Sequence, residues 1–225
     1  MPLPRLVALF LALLSLASTT ALASSGQALL DAITDHQPRR VAILLDQGVS
    51  PEVVSGPGEY AGKTALMWAA ESGQTEIVRL LLGYGATVDR SNPKGGTALM
   101  YAAVAGRSEV VHALLQAGAD PDQRVRHGWT PLLLATVKGH VDTVRALAAA
   151  GADLRTRDIY GWTLLMHAAE RSDAAMVAAL LELGLDPADG DGNGTTALSL
   201  AERQGDPAVL QLIATHRRDT ARDHP

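Results

Sequence analysis

Apolar and small residues return along this chain at a spacing that two short helices per unit would satisfy. Aligned on Thr64, successive segments read "GKTALMWAAESGQTEIVRLLLGYGA", "GGTALMYAAVAGRSEVVHALLQAGA", "GWTPLLLATVKGHVDTVRALAAAGA", "GWTLLMHAAERSDAAMVAALLELGL" and "GTTALSLAERQGDPAVLQLIATHRR". The threonines fall at 64, 97, 130, 163 and 196, four intervals of 33 residues. Gly precedes each by two places, Leu follows by two and Ala by five. Leu and Ala then share one face of a first helix, and the small Ala admits a neighbouring helix. Thr is the expected N-cap, its hydroxyl accepting from the free N–H groups of the first turn, with Pro131 just inside. Gly73, Gly106, Gly139 and Gly205 close this helix in the left-handed conformation. The apolar pairs Val78/Leu81, Val111/Leu114, Val144/Leu147, Val177/Leu180 and Leu210/Ile213 mark a second helix, which ends on Gly85, Gly118, Gly151 and Gly184. Asp206-Pro207 reads as N-cap and first residue of the last one. Turn-forming residues then lead into the next unit.

This unit resembles the ankyrin repeat, a turn plus two antiparallel helices with a T-P-L-H-x-A signature in 33 residues. The resemblance covers residues 25–214, with "QALLDAITDHQPRRVAILLDQGVSP" as a divergent first unit carrying Leu29, Ala32, Val41, Leu44 and Gly48 in register. Gly48 precedes Gly85 by 37 residues, which places four extra residues in the loop at 51–61. The resemblance implies an all-α solenoid of six units, about 25–57, 58–90, 91–123, 124–156, 157–189 and 190–214, with a short polar tail over 215–225. The end units are atypical because each must show a face to water. One position departs from the family. Its signature His is replaced by Met67, Met100, Leu133, Met166 and Ser199, so packing must take over part of a polar network.

Composition narrows the rest. Apolar residues make up 47% and aromatics only 4%, so the core is expected to be Leu, Ala and Val. A net charge of −5 argues against a general nucleic-acid binder, and the lack of cysteine excludes disulfides and thiolate chemistry. At the N-terminus, Arg5 precedes the 11-residue run "LVALFLALLSL", which ends near Ala21-Leu22-Ala23, an A-x-A cleavage signal. Such a helix reaches about 16 Å, short of a bilayer core of roughly 30 Å. Residues 1–23 are therefore expected to be a signal peptide, leaving a mature chain from Ser24, exported to a periplasm and not stably inserted in a membrane; an uncleaved anchor is the alternative. Export without cysteines fits a bacterial periplasm better than a eukaryotic secretory route.

Several motifs imitate chemistry. "GPGEYAGKT" ends like a phosphate-binding loop, but its first glycine is displaced by Pro57, which has no N–H, and no buried strand precedes it. Lys63 is then only the middle residue of a Gly-x-Thr, and Lys63→Ala is expected to leave stability nearly unchanged. "DGDGNG" matches the first places of a calcium loop at Asp189, Asp191, Asn193 and Gly194, but Leu200 stands where a bidentate Glu belongs. The seven histidines include no H-x-x-x-H pair, and there is no G-x-S-x-G. No catalytic residue, metal site or cofactor is expected.

Binding is the remaining expectation. In ankyrin proteins the hairpins and first helices line a concave groove that grips partners, and interfaces favour Trp, Tyr and Arg. Tyr60 and Tyr160 map to hairpins, Trp129 and Trp162 immediately precede the capping Thr, and Trp68 and Tyr101 stand four places after it. Arg124, Arg126, Arg155 and Arg157 lie on two successive hairpins of an otherwise acidic chain, a positive strip that would receive carboxylates. Packing of the solenoid is the competing role for the aromatics, and plain loop polarity for the arginines. The resemblance implies a non-enzymatic, monomeric scaffold for a protein partner, serving as an accessory to or inhibitor of another exported protein. Small-ligand or cell-wall glycan binding by the same groove is the alternative.

Overall fold

The computed structural model describes residues 25–58, 61–125 and 128–223. The expected signal segment and Ser24, and also Tyr60 and Arg126, lie outside the described residues. A first helix, α1, spans residues 25–34. After it come α2 (Pro38–Asp46), α3 (Ala65–Glu71), α4 (Thr75–Gly83), α5 (Ala98–Val104), α6 (Ser108–Gln116), α7 (Pro131–Lys138), α8 (Val141–Ala149), α9 (Leu164–Glu170), α10 (Ala174–Glu182), α11 (Ala197–Gln204) and α12 (Pro207–Asp223). The first helices α3, α5, α7, α9 and α11 pack in succession as one layer. The second helices α2, α4, α6, α8, α10 and α12 form the other. The last helix continues past residue 214, so the polar tail is helical as far as Asp223.

Each unit is built as its residues dictate. All five threonines accept the N–H three residues on, at 3.1–3.4 Å. This satisfies a donor that the helix start would otherwise leave unpaired. The alanines at 69, 102, 135, 168 and 201 are all 0% exposed, which is what allows the first helices to approach. Met67, Met100, Leu133 and Met166, in the place of the signature His, are buried in the stack. Ser199, in the last unit, instead closes a hydrogen-bonded capping box with Thr196. The polar position has become part of the core except at the end of the stack.

Neighbouring units are also stitched by side chains. Gln74 donates to the Ile33 carbonyl (2.9 Å), Arg107 to that of Glu71 (3.1 Å), and the His140 Nε2 bonds that of Val104 (2.9 Å). These contacts explain Gly73 and Gly106 twice over. Both have positive φ, and a Cβ would stand 2.9 Å from Arg107 Cδ or 2.6 Å from His140 Nδ1. In the first and fifth units the same place is held by His36 (φ 55°) and Ser172 (φ 53°), non-glycine residues in the left-handed region. Ser172→Gly is therefore expected to stabilise the protein by about 1 kcal/mol, raising the melting temperature by roughly 2–4 °C. A thermal melt of the variant checks this.

Candidate partner-binding groove

Three hairpins are fixed by the side chain five places before the capping Thr, at residues 92, 158 and 191. Asn92 Oδ1 accepts from the N–H groups of Lys94 and Gly96, each at 2.9 Å. Asp158 Oδ1 accepts from Tyr160 (2.9 Å) and Trp162 (3.0 Å), and Asp191 Oδ1 from Asn193 and Thr195 (2.9 Å each). The N–H of Thr195, and then that of Asn193, hold the Asp191 carboxyl below its ordinary value. Asp189 pairs with Arg157. The two carboxylates of the calcium-like segment thus serve the hairpins. Among the described residues no group of three or more His, Asp or Glu is placed to hold a metal ion.

Asp158 has a second function. Its Oδ2 accepts from His167 Nε2 at 3.2 Å, and the His167 ring lies 5.5 Å from Trp129 and 5.3 Å from Trp162, centroid to centroid. Burial lowers the His167 pKa by more than the Asp158 charge and hydrogen bond raise it. A neutral imidazole donating from Nε2 to the carboxylate meets both conditions. Trp129 and Trp162 are half-buried, and both pack on this imidazole. At the tip of the same hairpin Tyr160 is 73% exposed and Ile159 55% exposed.

A second cluster lies two units earlier, and it corrects the expectation for Lys63. Its side chain is buried, not a solvent-facing loop residue. The ammonium pairs with Glu71 and stands 3.9 Å from the centre of the Trp68 ring and 4.5 Å from that of Tyr101. Tyr101 in turn accepts a hydrogen bond from Asn92 Nδ2 at 2.9 Å. Burial first, and then the Glu71 charge, raise the Tyr101 pKa, which keeps its phenol neutral. Two cation–π contacts and a half-exposed ion pair make Lys63→Ala destabilising by about 2 kcal/mol. Urea denaturation checks this, with Lys63→Arg as the charge-retaining comparison.

The arginines differ among themselves. Arg124 donates to the carbonyls of Gly128 and Arg157 and to Thr156 Oγ1, each at 3.3 Å. One unit later Arg157 repeats this, donating to the carbonyls of Gly161 and Gly190 at 2.9 Å. Each clasps its own hairpin to the next. Arg155 is exposed. It takes the place that Asp89 and Asp122 hold in earlier units, where those carboxylates accept from Asp120 N–H (3.2 Å) and Asp153 N–H (2.9 Å) of the next unit.

A rule emerges for the residue before each capping Thr. Its side chain lies against the residue four places after Thr in its own unit, against the equivalent residue of the next unit, or against both. Lys63 meets Trp68 and Tyr101 in this way, Trp162 meets His167 within its unit, and Trp129 meets His167 of the following unit. In the third unit that residue is Gly96. A cavity of about 560 Å³ opens there, lined by Gly96, Met100, Tyr101, Val104, Val125 and Leu134, with Glu71, Asn92, Pro93 and Lys94 around them.

A family model described as Ankyrin repeats (3 copies) matches residues 29–125, 92–158 and 153–223, which together span nearly all the described chain. The chain belongs to the ankyrin-repeat family. No curated protein matches it. The ankyrin framework accounts for the capping threonines, the closing glycines and the two layers. It does not account for the roles of Lys63, Glu71, Asp158 and His167, of which the sequence singles out only Lys63, as the lysine of a false phosphate loop. Their signal was positional, since all four stand at repeat places that face the hairpin or the first-helix row.

Proposed function

We propose that this protein is a non-enzymatic, monomeric scaffold that grips a protein partner through the face formed by its first helices and hairpins. Ankyrin repeats generally mediate protein–protein interaction. The observation that carries the reading is the Trp129–His167–Trp162 cluster beside the Ile159–Tyr160 tip. Half-buried aromatics on a packed platform, next to exposed apolar residues, have the composition of an interface centre. Trp68 and Tyr101 extend this surface toward the N-terminus, and Arg155 adds an exposed charge. Arg124 and Arg157 hold the hairpins in place.

The test is affinity capture from an extract of the native host on the immobilised chain, followed by mass spectrometry. A partner should be retained by the parent protein and by Glu76→Arg on the exposed side of α4, and lost with Tyr160→Asp. Equal retention by both variants, or no saturable partner, overturns the reading.

The N-terminal segment supports export, with the partner being another exported protein that this one assists or inhibits. Among the described residues no helix is long and apolar enough to cross a membrane. The intact mass of protein isolated from its host should correspond to a chain starting at Ser24. A membrane-bound species retaining residues 1–23 would contradict this.

A further inference from the structure

The residue before the capping Thr forms a row across the units: Lys63, Gly96, Trp129, Trp162 and Thr195. Where this row carries Lys or Trp, the side chain packs against the row four places after Thr, and it can fill the space between two adjacent members. Lys63 does so between Trp68 and Tyr101. Gly96 leaves the equivalent space, between Tyr101 and Leu134, as the 560 Å³ cavity. Cavities of roughly 300–1,000 Å³ with mostly apolar walls are of the size that bind ligands.

Gly96 is not required by the backbone. Its φ lies outside the left-handed range, and a Cβ there would meet Tyr101 Cε2 at 3.4 Å and Asn92 at 3.5 Å, ordinary contacts. The fold would accept a side chain here, as it accepts indoles in the next two units.

The charges around the cavity define what would accompany such a group. Glu71 is already paired with Lys63. Lys94 on the rim is exposed, and so is Lys138, four residues after the cavity-lining Leu134 on the same face of α7. The cavity therefore has one exposed cation, Lys94, on its rim and a second, Lys138, one turn beyond its lining residue Leu134, in a protein of net charge −5. Residues four apart on a helix are about 5–6 Å apart, the advance of roughly two residues in an extended chain.

We propose that this cavity receives an aromatic side chain from an extended segment of the protein partner, with an acidic residue about two positions away lying over Lys138. The partner's ring takes the place in the row that Gly96 leaves empty, stacked beside Tyr101 and against Val104, Val125 and Leu134. This rests on the protein-binding reading above, and its test uses no native partner, so the two fail separately.

Random dodecapeptides displayed on phage should be selected on the immobilised full chain, and one enriched peptide labelled with fluorescein for polarisation titration. Enriched sequences are expected to share an aromatic residue with Asp or Glu within about two positions of it. Gly96→Trp, which fills the cavity from within, should weaken the labelled peptide about thirtyfold, equivalent to one aromatic anchor of about 2 kcal/mol. Val104→Lys should do the same by a different route, which guards against misfolding of the first variant. Lys138→Glu should weaken binding most at low salt. The proposal is overturned if no peptide is enriched, if the enriched peptides are basic, or if both cavity variants bind as the parent does. Binding of free indole with no enriched peptide would also overturn it, assigning the cavity to a small molecule.

Discussion

Ala135→Glu is expected to destabilise this protein by at least about 3 kcal/mol, through overpacking and burial of an unpaired charge. Ala135 is 0% exposed, and its helix α7 packs on α5 and α9 as well as on its own partner α8. A methyl group fits there because helix axes need to approach to about 8–10 Å. A carboxylate would have no partner in that space, and its four extra heavy atoms would push the first helices apart. The position is also central to the stack. Repeat arrays derive much of their stability from nearest-neighbour interfaces, so a wedge in the fourth unit weakens its coupling on both sides. Ala175→Glu, on the exposed side of α10, is the control and should stay within about 0.5 kcal/mol of the parent. Urea denaturation separates the two; equal midpoints would mean that the first helices do not depend on the small residue.

Trp129→Ala/Trp162→Ala should weaken partner binding by about a hundredfold or more, since aromatic anchors can each be worth about 2 kcal/mol. Both indoles are half-buried and rest on His167, which is itself held by Asp158. The hairpin is pinned by Asp158 to backbone N–H groups, and these bonds do not need the indoles. Stability should therefore fall by less than the roughly 3–5 kcal/mol that emptying a fully buried Trp site costs. A melting curve and a titration with the captured partner decide the matter. A double variant that melts far lower, or that keeps its partner, would make the tryptophans packing residues.

The repeat, the N-caps and the closing glycines were legible because each is a local signal carried by one residue type at one place. Thr at the helix start and Gly beyond its end act within a single turn, and the 33-residue period only multiplies them. The groove was legible as a set of aromatics but not as an arrangement. Nothing local marks Lys63 as structural, since charged residues are usually exposed. Its burial depends on Tyr101, 38 residues away, which reaches it only when units stack. The arginine pair carried a signal that was read differently. Arg124 and Arg157 recur at the repeat spacing, and their contacts are to carbonyls 33 residues on in each case, a framework role. The cavity at Gly96 had no residue to announce it. A missing side chain becomes visible only when the row it belongs to is seen in space.

The direct test of partner binding through the first-helix face is site-specific photocrosslinking in the native host. A photoreactive amino acid is placed either at Tyr160, on the exposed hairpin tip, or at Glu109, on the exposed side of α6. The expected result is a discrete crosslinked protein from position 160 and none from position 109. Crosslinking from position 109 alone would place the partner on the second helices and contradict the groove as the binding face.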